Sequence, residues 1–236
     1  MTQRLRVHCL SVSLDGFGTG EGLTDAEPFG HAGERLHEWM FATSPGGGGD
    51  EHGTDAGLVA RAWEGIGAEI MGRRKFHVGS GPIPEDWQGF WGPEPPFHTP
   101  VFVLTHHPRP SLEMAGGTTF HFLDATPREA LAQAVAAAGG LDVRLGGGPV
   151  TVRAFLAADL VDEMHVVLVP ILLGRGQRLW DGQEGLEERY AVSSVPGDSG
   201  VTHLLFTRRR PSPSRLARHP SERRSGGGGP PEAATP

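Results

Sequence analysis

Residues 5–12, LRVHCLSV, are apolar and branched and stop at Ser13, Asp15 and Gly16, a pattern that predicts a buried strand running into a turn. His31–Phe41 reads as a helix with Leu36, Trp39 and Met40 on its apolar side, ended by Ser44, Pro45 and four glycines at 46–49. A second helix is expected over Asp55–Glu64 and a short strand over Ala68–Met71, closed by Gly72. Strands follow at Val101–Thr105, Thr118–Leu123 and Asp142–Leu145, with a helix at Pro127–Ala138 and another from Pro149 to Ala158. Asp162–Leu173 reads as one long strand, and Arg189–Val195 with Val201–Arg208 as a closing hairpin. Between Gly79 and Pro100, six prolines with Trp87, Phe90, Trp91 and Phe97 exclude regular structure but leave large rings to bury, as in a packed loop or a lid.

Helices and strands alternate to about residue 160 and strands finish the chain. The expected fold is therefore α/β: a mixed, mostly parallel sheet with helices on both faces and a C-terminal antiparallel hairpin. Net charge divides this picture. The chain of 236 residues carries −7, yet from Arg208 to Pro236 seven arginines face only Glu222 and Glu232, leaving −12 on residues 1–207. An acidic body argues against nucleic acid as a partner. The stretch 208–236 has no aromatic residue and almost no apolar ones, so it is expected to be a disordered tail following a single domain at 1–207. Cys9 is the only cysteine, which excludes an internal disulfide and any Cys-x-x-Cys site. No signal core and no apolar run of membrane-spanning length occurs, so the expected setting is cytoplasmic, away from membranes.

An open α/β sheet binds ligands beyond the carboxyl ends of its strands, so the post-strand loops are where chemistry is expected. The first is Ser13-Leu14-Asp15-Gly16. The second, Gly72-Arg73-Arg74-Lys75-Phe76, places three cations at a helix start, a combination suited to phosphate. The third, Thr105-His106-His107-Pro108-Arg109, offers hydroxyl, imidazole and guanidinium groups. Its adjacent histidines point opposite ways in extended chain and His37-Glu38 lacks the second histidine of a zinc motif, so no metal site is expected. The fourth is Gly146-Gly147-Gly148-Pro149-Val150-Thr151, where glycines admit a ligand to the backbone and a helix start offers free amides to a pyrophosphate. It is neither a Walker loop nor a Gly-x-Gly-x-x-Gly motif, since Thr151 stands at the third glycine.

Taken in order, Ser-Leu-Asp-Gly, Gly-Arg-Arg-Lys-Phe, Val-Phe-Val-Leu-Thr, Gly-Gly-Gly-Pro, Leu160-Val161-Asp162-Glu163 and Pro170-Ile171-Leu172-Leu173-Gly174-Arg175-Gly176 resemble the dihydrofolate reductase-like superfamily over residues 4–207. The branch they most resemble is the reductase domain of bifunctional riboflavin-biosynthesis deaminase-reductases. The resemblance implies a three-layer fold, NADPH as cofactor, hydride transfer to a small heterocyclic or sugar-linked substrate, and a homodimer. It places Gly72, Arg73, Arg74 and Thr105, His106 and His107 at the 2′-phosphate side of NADPH, and Gly147, Gly148, Pro149 and Val150 at the pyrophosphate. Leu14, Asp15 and Gly16 would lie near the nicotinamide, with Asp15 binding substrate or organising proton delivery. Glu34 and Glu38 are further carboxylates on the first helix, and Trp39, Trp87 and Trp91 are rings able to stack on a heterocycle. Phe17 stands where that branch has a basic residue, and Arg74-Lys75-Phe76 where it has Asp-Asp-Pro, so the substrate stays open. Other readings are a dihydrofolate- or pteridine-type reductase, a regulatory module that binds NADPH without turnover, and an interaction protein acting through its Arg-rich tail.

Overall fold

The computed structural model describes residues 3–44, 47–50 and 52–209, so the tail expectation, from residue 210 onward, lies outside the described residues. The elements run β1 (Leu5–Ser13), β2 (Phe17–Thr19), α1 (Glu38–Ala42), α2 (Thr54–Arg61), β3 (Ile66–Gly72), α3 (Arg73–Phe76), β4 (Pro100–Leu104), β5 (Leu112–Glu113), β6 (Thr119–Leu123) and α4 (Pro127–Ala137). They continue with β7 (Asp142–Leu145), α5 (Pro149–Ala157), β8 (Glu163–Val169), β9 (Gln177–Arg178), α6 (Leu186–Arg189), β10 (Tyr190–Pro196) and β11 (Thr202–Arg208).

Among the described residues one sheet has the order β10-β11-β8-β1-β7-β3-β4-β6-β5, and β2 pairs with β9 in a separate ribbon. From β8 to β6 every pair is parallel, while β11 and the two edge strands, β10 and β5, pair antiparallel. The fold class read from the pattern is the one observed. One face carries α4 and α5, whose Ala130, Ala134, Val152 and Phe155 pack on Val7, Ile70 and Leu145. On the other face, Leu36 and Trp39 cover Val167 and Val169, and Phe76, Ile83 and Phe97 cover Met71, Val101 and Val103. The Pro/Trp segment is thus a packed loop: Trp91 stacks on Phe120, and Trp87 Nε1 donates to the Phe76 carbonyl at 2.7 Å.

Helix α4 is specified locally, with Pro127 in its first turn and a reciprocal Thr126/Glu129 capping box. Two expected elements are corrected. The strand expected over Asp162–Leu173 stops at Val169, because Pro170 has no amide to give and the chain turns across the end of β1, where the Ile171 carbonyl takes the Leu14 amide at 2.9 Å. The helix expected over His31–Phe41 is broken into a 3₁₀ turn at Gly33–Leu36 and α1, with His37 at φ −113° between them. Its first residues are pressed against the chain after β2, where a Cβ on Gly20 would lie 2.2 Å from the His31 carbonyl, so that segment cannot coil freely. No helix among the described residues is long and apolar enough to cross a membrane.

Candidate active site

The loops singled out in the sequence leave β1, β7, β3 and β4, which are consecutive neighbours in the sheet and all parallel. Their carboxyl ends therefore line up along one edge, spanning three inter-strand steps, roughly 14 Å. The Gly72 amide donates to the Gly147 carbonyl, tying the second loop to the fourth.

In the first loop, Gly16 turns the chain at φ +87° and Leu14 is exposed. The Asp15 carboxylate accepts the Ser13 hydroxyl and the amides of Leu173 (3.1 Å) and Gly174 (2.7 Å). Desolvation opposes its ionisation, but these three donors prevail and hold its pKa at about 2. At neutral pH Asp15 is thus a carboxylate with no proton to deliver, and its contacts make it the clasp between the β1 loop and the segment after β8.

The three cations after β3 go three ways. Arg73 turns back to the carbonyls of Gly79 and Gly81, anchoring the Pro/Trp loop. Arg74 is exposed and makes no side-chain hydrogen bond or ion pair among the described residues. Lys75 turns inward and donates to Glu69 Oε1 at 2.9 Å, while Arg144 of β7 grips the other oxygen of that carboxylate through Nε (2.7 Å) and Nη2. Glu69 is 1% exposed, and Arg144 stacks 3.6 Å from the centre of the Trp63 ring. Burial pulls Lys75 below the usual lysine value against the attraction of Glu69. His37 lies in the field of this amine, and burial together with the Lys75 charge lowers it to about 4.

The fourth loop is built for close approach. Gly146 lies on the Glu69–Lys75 pair, so that a Cβ there would come 2.2 Å from Glu69 Oε1 and 2.4 Å from Lys75 Nζ. Gly147 has φ +89° and joins Gly148 through a cis peptide. Helix α5 begins at Pro149 with no side-chain cap, so the amides of Val150 and Thr151 have no partner within the helix. Beside them Thr19 Oγ1 is buried without a hydrogen-bond partner among the described residues, with its methyl 3.9 Å from a Cβ placed on Gly148. Uncapped amides, an orphaned hydroxyl and glycine backbone suit a pyrophosphate.

The family model for the RibD C-terminal domain matches residues 9–201. The chain belongs to this family. Its fold matches that of a protein assigned to riboflavin biosynthesis in a Shewanella species, with 22% identity and a TM-score of 0.54 over 89% of this chain and 100% of the other. A pyrimidine reductase-like protein of Corynebacterium diphtheriae gives 16% identity and a TM-score of 0.51 over 88% and 92% of the two chains. For dihydrofolate reductase of Enterococcus faecalis complexed with NADP(H), the values are 15% and 0.48 over 88% and 97%. No curated protein sequence matches the chain.

Within this RibD C-terminal fold the remaining expected residues divide. Thr105 is buried at the end of β4 and accepts the His107 amide on its hydroxyl at 3.1 Å, while His106 is exposed, with Nδ1 in hydrogen-bond contact with Asp124 Oδ1 at 3.0 Å. Glu34 and Glu38 point to solvent. Trp39 is core: 4% exposed, bonded through Nε1 to Ser11 Oγ at 2.9 Å and set edge-on to His203. Glu38 is solvent-facing and Trp39 core-facing, while His37 between them packs its ring on Phe29 and Phe41 and lies in the field of Lys75. His37, Glu69 and Arg144 escaped the sequence reading, because nothing in their local pattern separates them from ordinary surface or strand residues.

Two cavities lie elsewhere. One of about 410 Å³ opens at the amino ends of β1, β7 and β8 between Arg4, Arg6, Arg61, Asp142 and Glu163, on the edge opposite the glycine loop. The other, about 170 Å³, is bordered by Trp39, Asp50, Asp55 and Asp198. Among the described residues no cluster of three or more His, Cys, Asp or Glu side chains is arranged to hold a metal.

Proposed function

We propose that this protein is an NADPH-dependent reductase that adds hydride to an electrophilic C=N or C=O carbon of a small heterocyclic or sugar-linked substrate, of the kind represented by 5-amino-6-(5-phosphoribosylamino)uracil. The observation that carries this reading is the alignment of four chemically distinctive loops along the carboxyl edge of four adjacent parallel strands, in a fold of the reductase family. Gly147, Gly148 and the amides of Val150 and Thr151 at the start of α5 would hold the pyrophosphate, with Pro149 setting the helix start and Thr19 adding a hydroxyl. Gly72, Arg74 and the Thr105–His107 turn would hold the 2′-phosphate end. Arg73 supports them indirectly, by fixing the loop that follows. Leu14 and Gly16 border the reacting end, and Asp15 holds their loop in place. Bound NADPH supplies the hydride; the chain supplies position, proton transfer and exclusion of water.

Arg74 is the test of cofactor identity, because among the described residues no partner competes for its charge. A charge-assisted contact to phosphate is worth about 1.5–3 kcal/mol, so Arg74→Ala should weaken NADPH binding about 10- to 100-fold and leave NADH binding unchanged. Fluorescence titration of both nucleotides reads this. Equal affinity of the wild type for both would remove the 2′-phosphate assignment, and no binding of either would remove the reductase reading.

A further inference from the structure

Lys75 is the only lysine among the 21 Lys and Arg residues of the chain. Everywhere else a cation is needed the protein uses arginine, which does not lose its proton at any pH an enzyme meets; at position 75 it uses the one cation that can. This amine does not sit on the solvated surface. It lies at the carboxyl end of β3, directly under Gly146, with Glu69 as its ion-pair partner and the Phe97 ring 5.6 Å away. Of the three side chains in the Glu69–Lys75–Arg144 group, Glu69 is 1% and Arg144 9% exposed, but Lys75 keeps 28%. Lys75 is therefore the least covered of the three, although its amine is turned inward onto Glu69. The group is also unbalanced, since two cations share one carboxylate, and the His37 imidazole, which lies in the field of Lys75, is held neutral by burial and by that charge.

We infer that Lys75 is the proton donor of the reaction and the contact for an electron-rich oxygen or nitrogen of the substrate. The inference rests on the reductase reading above. When hydride from the reduced nicotinamide adds to the carbon of a C=N or C=O bond, the π electron pair moves to the nitrogen or oxygen, and that atom takes a proton from the Lys75 ammonium. The resulting neutral amine recovers a proton from water. Glu69 and Arg144 are positioning residues: the carboxylate orients the amine, and the guanidinium prevents Glu69 from holding the Lys75 proton too tightly. The substrate class that follows is a planar imine or carbonyl compound with an anionic or carbonyl oxygen at the reacting end.

The test uses the intact protein with Lys75→Arg, which keeps the charge and the ion pair, and Lys75→Gln, which removes the charge. Both variants should bind NADPH within about threefold of wild type. Oxidation of NADPH with 5-amino-6-(5-phosphoribosylamino)uracil as probe should fall about 100-fold or more in both, the scale of general acid catalysis. A merely structural lysine would be replaced by arginine with little loss, so a Lys75→Arg variant with more than a tenth of wild-type turnover overturns the proposal. A second measurement needs no turnover. Because Lys75 is the only side-chain amine, acetylation by an acyl ester can be followed by mass spectrometry of one peptide. Lys75 should react in the folded, NADPH-loaded protein, and the probe should slow the reaction about tenfold. Reaction only after unfolding, or no protection by the probe, also overturns the proposal. Failure of the wild type to bind NADPH instead overturns the reductase reading, and the acetylation rate of the free protein still reports whether the amine opens to the cleft.

Discussion

Single side chains decide the shape of the edge. Asp15 accepts three hydrogen bonds that link the β1 loop to the segment after β8, so Asp15→Asn, which replaces an acceptor oxygen by a donor facing backbone amides, should cost about 1–3 kcal/mol. Thermal melting at neutral pH reads this as a lower Tm, and an unchanged Tm would show that the clasp is slack. Gly146→Ala would push a methyl into the Glu69–Lys75 pair, where neither partner can move without breaking a buried contact. Overpacking of this kind costs about 1–3 kcal/mol, and denaturant unfolding of the variant measures it. At this scale the sequence was legible in part. The glycines and the three consecutive cations stood out as a pattern, but their division of labour did not. Arg73, Arg74 and Lys75 are neighbours in sequence, and only the single turn of α3 shows that they face a loop, solvent and the interior.

At the scale of elements, β7, α4 and the C-terminal hairpin were legible because their signals are local: a capping box, a proline in the first turn, alternation between turn residues. The strand after residue 162 and the helix after residue 31 were not, because their limits depend on distant partners, the β1 loop and Gly20. The β2–β9 ribbon was invisible for the same reason, since three residues pair with two located more than 150 positions away. Close contact between α5 and β3 also comes from both sides of the fold. Thr151 occupies the place where a dinucleotide motif has glycine, and the room it needs is supplied across the gap by Gly72, where a Cβ would lie 2.1 Å from Thr151 Oγ1. Gly72→Ala should therefore displace α5 and weaken NADPH binding at least tenfold. The double variant Gly72→Ala, Thr151→Gly should recover most of that loss, measured in the same titration; absence of recovery would contradict this account of the packing.

At the scale of the whole molecule, the buried interior carries a second polar group besides Glu69, Lys75 and Arg144. Asp55 Oδ1 bonds His203 at 2.7 Å, His203 bonds His165 at 2.9 Å, and His8 lies edge-on to His165. Burial holds His165 and His8 neutral, each with a pKa of about 3. For a histidine whose folded pKa lies below its unfolded value near 6.5, the unfolded chain binds the extra proton, so stability is full above that value and is lost as pH falls toward 3. The melting temperature should accordingly fall steadily between pH 6.5 and pH 4, and a flat profile there would contradict the neutral, buried state of the pair. The arginine-lined cavity at the amino ends of the strands lies on the edge opposite the one proposed for the ligand. The location of NADPH is therefore the measurement that bears most directly on the function. Hydrogen exchange with and without the nucleotide should show protection at residues 14–19, 72–75 and 146–152. Protection confined to the segments around Arg4, Arg6 and Arg61, or none at the glycine loop, would contradict it.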